Sequence, residues 1–271
     1  MNLVFLIVLL ATGLALVMAL AWGRAVGTGQ SGWADAFWSF GVGVAGVVAA
    51  LVPIDGHARD DLRPLLVAGL VALWSLRLGT HILARARKGG DDPRYAQLRK
   101  DWGAGWRAQL FIFLQIQAAC ALVLALAILA AANNPAPLGP FDLLGAVVAL
   151  GAMAGEALAD SQLKGFSADP ANRGKVCDVG LWGLSRHPNY FFEWLNWLAY
   201  PLLGISLVVA YPWGWLALAA PVLMYVLLVH VSGIPPLEQH MLRSRGDAFR
   251  AYQQRVRAFW PVPKRGRPDE D

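Results

Sequence analysis

The stretch Leu184-Ser-Arg-His-Pro-Asn-Tyr-Phe-Phe-Glu-Trp-Leu-Asn-Trp197 sets a guanidinium, an imidazole, two amides and a carboxylate in the mouth of a long apolar run. Ionisable groups at membrane depth are expensive, so a cluster of them at one end of a span marks a site rather than a wall. Pro188 fits the first helical turn, where its missing N–H removes no bond. Asn189, Glu193, Asn196 and Tyr200 then fall at i, i+4, i+7 and i+11, forming one polar stripe that descends along the helix. Arg186 and His187 precede it, where an anion would also meet the free N–H donors and the positive end of the helix dipole. A phosphorylated cofactor suits that environment.

A second set is Glu156, Asp160 and Lys164, whose i, i+4, i+8 spacing puts them on one helical face. They read either as a solvated helix end with an Asp160–Lys164 ion pair or as part of a site. The second reading follows from Glu156, a carboxylate within the bilayer or at its edge, which needs a partner. Glu238 and His240 in the tail can join the same cluster, whereas His230 with Ser232 reads as a helix-packing hydrogen bonder. On the outer side, Asp35 opens the second span among Trp33, Trp38 and Phe40, and Arg77 and His81 lie one turn apart in the third. Asp35 and Arg77 form a structural pair if their depths match; otherwise these groups line a lipid-facing pocket whose acid, Asp35 or His81, polarises a substrate.

Two signals point away from other chemistry. Gly41-x-Gly43-x-x-Gly46 has the letters of a dinucleotide fingerprint, but that loop works between a strand and a helix, and here it lies mid-span among small residues that favour close helix packing. No metal-ligand spacing and no nucleophile elbow are present. Cys120 and Cys177 have neither the number nor the spacing of a disulfide or zinc framework and read as reduced, structural thiols.

The elements that position these residues are transmembrane helices. With 57% apolar and 15% charged residues and a mean hydropathy of +0.47, the chain is an integral membrane protein rather than a soluble one. Windows long enough to cross about 30 Å of hydrocarbon fall at 1–22, 34–53, 63–84, 107–132, 140–160, 189–210 and 212–231. This predicts an all-α fold of seven spans in a single membrane domain, 1–271. The first window lacks a basic flank and reads as a span despite Ala19-Leu-Ala21, which resembles a cleavage site.

Twenty of the 23 Lys and Arg fall in the first loop (Arg24), the segment 85–107, the loop 161–188 and the tail 232–271. Seven spans put all four on one face, which the positive-inside rule makes cytoplasmic, with the N-terminus outside. The net charge of +5 then reflects topology rather than nucleic-acid binding. The opposite loops agree: Arg59 stands against Asp55, Asp60 and Asp61, and Asn133 to Pro140 is uncharged.

In the cytoplasmic loop 85–106, Gly89-Gly-Asp-Asp-Pro-Arg-Tyr95 is turn chemistry, followed by an interfacial helix through Trp102 and Trp106. The loop 161–188 is long enough to be functional. In the tail, Pro235 and Pro236 break the last span, Glu238 to Val256 is amphipathic, and Pro261, Pro263 and Pro268 lead to a disordered end.

The block Gly180-Leu-Trp-Gly-Leu-Ser-Arg-His-Pro-Asn-Tyr-Phe-Phe-Glu-Trp194, with Glu156-x-x-x-Asp160, Phe166 and Ser232-Gly-Ile-Pro-Pro-Leu-Glu238, resembles the C-terminal half of the steroid 5-alpha-reductase-like membrane enzymes, in particular an uncharacterised bacterial branch. The resemblance spans about Asp35 to Pro263 and implies an inner (plasma) membrane bundle open to the cytoplasm. It implies NADPH held among the C-terminal spans and reduction of a carbon–carbon double bond conjugated to a carbonyl in a lipid. Asp160, Arg186, His187, Asn189, Tyr190 and Glu193 match the cofactor-proximal motif, with Glu156 and Lys164 at neighbouring positions, and Tyr252 resembles the tail's aromatic motif. The Gln-Glu pair and tyrosine that hold a steroid carbonyl in the N-terminal half have no counterpart here; Asp35 is the nearest acid. The alternative is an S-adenosylmethionine-dependent enzyme similar to the isoprenylcysteine methyltransferases, which share an Arg-His-Pro-x-Tyr block and a tail glutamate pair; the tail here reads Glu238-Gln239. The expected partners are a lipophilic small molecule and membrane lipid, with no obligate protein partner.

Overall fold

The computed structural model describes residues 1–56, 62–87 and 92–263. The sequence readings that rest on Arg59, Asp60, Asp61, Lys88, Gly89, Gly90, Asp91 and 264–271 lie outside the described residues. The chain is an all-α polytopic membrane protein. Its helices are α1 (Leu3–Thr28), α2 (Ala34–Leu51), α3 (Arg63–Arg87), α4 (Pro93–Trp102), α5 (Trp106–Ala132), α6 (Pro140–Ala168), α7 (Pro188–Trp197), α8 (Ala199–Gly204), α9 (Ala219–Tyr225) and α10 (Ile234–Arg255). They fall into two compact units, Met1–Ala149 with Trp197–Leu223, and Leu150–Asn196 with Met224–Asp271.

In the first unit, α2 is the central packing element, set against α1, α3 and α5. The glycine triplet is what lets it lie there. A Cβ on Gly41 would come within 3.2 Å of Val17, one on Gly43 would collide with Ser75, and one on Gly46 would fall 2.8 Å from Ile128 and 2.9 Å from Val71. The triplet is a helix-packing device, as its mid-span position implies. At one end of this unit the Met1 ammonium donates to Pro53 O and Asp55. Beside the Asn133–Pro140 segment, the fully buried Arg63 donates to both Asp142 oxygens (2.8 and 2.9 Å) and to the carbonyls of Asn134 and Ala136. The uncharged loop is thus a carbonyl cup for a cation.

A helix, α4, stands where one was expected through Trp102 and Trp106, but it ends at Trp102, and Trp106 opens α5. Asp92 caps it by accepting from Arg94 N at 3.0 Å, Pro93 occupies its first turn, and Gly103 with φ 55° turns the chain into α5.

Among the described residues, six helical runs, not seven, are long and apolar enough to cross a membrane; the window 189–210 is not among them. It forms α7 and α8 with a break at Leu198, then leaves the helix at Ile205. Pro201 is the cause: it has no N–H for the carbonyl of Trp197, four residues back, and its ring crowds that carbonyl. The last candidate span runs Pro212–Arg255, and its apolar part changes character along its length: a 3₁₀ segment Pro212–Leu218, α9, then a π turn Val226–Val231. Beyond Gly233 the chain is amphipathic tail.

α6 also outlasts its predicted window, continuing through Ala168. The periodicity of Glu156, Asp160 and Lys164 carries it on until Asp169-Pro170, where the pre-proline residue turns extended (ψ 118°).

Candidate active site

The second unit is built around the tail folding back on the head of α7. Arg186 N donates to Arg257 O at 2.8 Å, beside a bridge of Ser185 with Arg257. Ser185 Oγ donates to Phe259 O at 2.9 Å and accepts from His187 N at 3.1 Å. Tyr252 OH donates to Trp182 O at 2.5 Å, and Trp182 Nε1 donates to Ala159 O, tying α6, the 180–185 turn and α10 together. Phe259 and Trp260 then pack against Phe191, Trp194 and Tyr225 at centroid distances of 5.4 to 6.4 Å, edge-on except for the tilted Tyr225–Trp260 pair. Such aromatic pairs add to area burial and fix geometry.

At the centre is Glu238. Arg186 grips it fork to fork, Nε to Oε1 at 2.8 Å and Nη2 to Oε2 at 3.0 Å, while Arg186 Nη1 donates to Val256 O at 2.6 Å. His187 Nε2 stands 2.9 Å from Glu238 Oε1, and Gln253 Nε2 donates to Oε2 at 2.7 Å. Burial pushes the Glu238 carboxyl up, but bonds from His187, Arg186 and Gln253 outweigh it and hold the acid down at about 2. For His187 burial wins over the attraction of Glu238, and its pKa is lowered. The imidazole is therefore neutral at pH 7, and its Nε2 must carry the proton that Glu238 accepts. Nδ1 is left as an acceptor, buried and with no partner among the described residues. The ring lies stacked on Tyr190, 5.5 Å between centroids and 11° between planes.

The stripe on α7 is present in part. Asn189 is half-buried, Glu193 and Asn196 are buried, and Asn196 Nδ2 is a second buried atom with no partner among the described residues. Tyr200 lies beyond the Leu198 break, on α8. On α6 the burial graded by depth is visible on one face: Glu156 is buried, Asp160 half-buried and Lys164 exposed. Gly155 lets this helix touch α7, because a Cβ there would collide with the Phe192 ring.

Asp35 is corrected in position. Its carboxylate accepts from Arg94 Nη2 and, at 2.8 Å, from Tyr95 OH, so it lies at the end of the first unit that carries the basic 85–106 segment and not at the opposite one. Arg94 also donates to Asp92, whose carboxyl is lowered because that bonding outweighs burial. His81 is an exposed residue of α3 in the same unit.

Glu238 and Gln253 are the residues that the sequence underweighted. Glu238 was expected to join the cluster from the tail, but nothing local says that it is the hub of a knot spanning 52 positions.

The helices and this knot define a polytopic membrane protein with a tail-locked polar head on a short, broken helix. The chain belongs to the DUF1295 family, described as proteins of unknown function, which matches residues 21–256. No curated protein and no solved structure matches it.

Proposed function

We propose that this protein is a steroid 5-alpha-reductase-like membrane oxidoreductase that uses NADPH to reduce a carbon–carbon double bond conjugated to a carbonyl in a lipophilic substrate. The observation that carries the reading is a pair of buried polar atoms without partners among the described residues, one towards each end of α7: the acceptor His187 Nδ1 just before the helix and the donor Asn196 Nδ2 near its end. Buried polar atoms are seldom left without partners, and a ligand is one way to complete them. An amide or ribose hydroxyl suits the first and a carbonyl or hydroxyl the second. The same unit carries exposed cations for an anionic cofactor: Lys164, Arg173 and Lys175, with the Arg245 guanidinium next to Gly174 between the last two.

The residues divide the work. Arg186 and Glu238 neutralise each other and hold the tail, so phosphate binding falls to the exposed cations. Glu238 fixes the His187 tautomer and thereby points an acceptor, rather than a charge, at the ligand. Asn189, Glu193 and Asn196 supply directional hydrogen bonds along α7. NADPH, when bound, supplies the hydride; the protein orients it and excludes water.

A second reading, an S-adenosylmethionine-dependent methyltransferase, is favoured by one observation: Glu156 and Glu193 are buried carboxylates, which suit a cationic ligand. The two readings separate in one measurement. The detergent-purified protein is melted with NADPH, NADH or S-adenosylmethionine, since a bound ligand raises the melting temperature by mass action. Stabilisation by NADPH is expected; stabilisation by S-adenosylmethionine alone overturns the reductase reading.

A further inference from the structure

The first unit contains an apolar cleft of about 640 Å³ between α1 and α2, lined among others by Leu9, Gly13 and Val17 on α1 and by Phe37, Val44 and Val48 on α2. Its walls open outward: Leu9 is 48% and Val44 67% exposed. One end is closed by Trp33, which also lines it. Trp33 to Val48 is fifteen residues, about 22 Å of helix, longer than the roughly 15 Å half-thickness of a hydrocarbon core.

Two observations at the Trp33 end say what fills it. The Arg24 guanidinium lies over the Trp33 ring, 3.8 Å from its centroid, and among the described residues no carboxylate pairs with it. The nearby cations are already engaged: Arg85 with Asp92, Arg94 with Asp35 and Asp92, and Arg99 with Gly29 O and Ser31. The Trp33 indole N–H is buried and has no acceptor among the described residues. An unpaired cation and an orphan donor at the mouth of a bilayer-facing apolar slot form a two-part lipid site, head and chain.

We propose that this cleft binds an anionic phospholipid, with one acyl chain along α1 and α2 and the phosphate held by Arg24 and the Trp33 N–H. Arg24 is exposed and can lift from the ring face onto the phosphate. The chain-binding wall on α1 precedes residue 21, where the family match begins. This lipid site is independent of the reductase reading.

The test uses the full-length protein in mild detergent, titrated with phosphatidylglycerol or phosphatidylcholine and read by native mass spectrometry. Phosphatidylglycerol is expected to bind about fivefold more tightly, the contribution of one basic residue near an anionic headgroup. Arg24→Gln should remove that preference while leaving chain binding. Gly13→Phe should lower binding of both lipids at least tenfold, with the lipid-free melting temperature unchanged, because a Cβ at Gly13 meets nothing within 4 Å. Val44→Trp fills the cleft from the other wall if the first variant does not fold. Equal binding of the two lipids by the wild type, or unaltered phosphatidylglycerol binding in both filled variants, overturns the proposal. So does a dimer that Gly13→Phe dissociates, which would give the cleft to a second copy of the chain.

Discussion

Arg186 and Glu238, 52 residues apart, meet as two parallel charge-assisted hydrogen bonds of 2.8 and 3.0 Å, and each also holds a third group: the guanidinium a backbone carbonyl, the carboxylate His187. The side chains are only 10% and 12% exposed. A pair so placed is neutral in sum, yet either half alone is a stranded charge.

Breaking it by halves should therefore cost more than removing it whole. Glu238→Gln and Arg186→Met are each expected to destabilise the protein by about 3 kcal/mol, with the double variant well short of the sum. A double-mutant cycle of melting in detergent checks this; strictly additive losses would show that the fork is incidental.

The same knot makes the tail acid-sensitive. His187 has a folded-state pKa below its ordinary 6.5, so its contribution is intact above 6.5 and is lost as pH falls through the folded value. Glu238, ordinarily 4.5 and held at about 2, adds stability above 4.5 that is lost as pH falls toward 2. Both slopes have the same sign, so stability should decline in two steps on acidification. Hydrogen exchange of residues 249–256 between pH 8 and 3 reads it, and His187→Gln should delete the upper step only.

Asn196 offers a cleaner test of ligand binding than the charged residues. Its amide nitrogen has no partner among the described residues, so Asn196→Leu should leave stability unchanged or raise it slightly, while reducing NADPH-induced stabilisation. A loss of fold instead would mark the amide as structural.

Gly155→Ala should destabilise by about 1–3 kcal/mol through overpacking against Phe192, and Phe192→Leu in the same chain should recover much of it. Melting of the four combinations decides.

Asp35→Asn should free α4 more than it alters anything in the second unit. The loss of its ionic bond to Arg94 predicts faster hydrogen exchange over 93–102, with exchange over 249–256 unchanged.

Much of this was legible in the sequence where local pattern governs. Hydropathy marked the long helices, mid-span position disarmed the glycine triplet, and the turn residues of 89–95 announced a helix, although α4 already begins within them at Pro93. The polar head of α7 was legible because charge at the end of an apolar run is its own signal. What failed involved competition or distance. Hydropathy favours a span over 189–210, but it is blind to the bond that Pro201 takes from Trp197. Asp35 looked like a substrate acid because its partners, Arg94 and Tyr95, stand about sixty positions away. Arg63 gave no sign of burial because its carboxylate partner, Asp142, stands 79 positions away and its other partners are carbonyls, which every sequence has.

The π turn at Val226–Val231 ends in a non-helical joint, Ser232–Gly233, from which α10 starts afresh at Ile234. A helix turn closed i to i+5 holds one more residue than an α turn, so the chain leaves it rotated by about 100° relative to an unbroken α-helix. Ser232 N and Gly233 N then both donate to Leu227 O, at 2.8 and 3.1 Å, so the turn and the joint after it together aim the chain toward Glu238. An insertion or deletion here would move the start of α10, and with it Glu238, although no side chain in the stretch need touch a ligand.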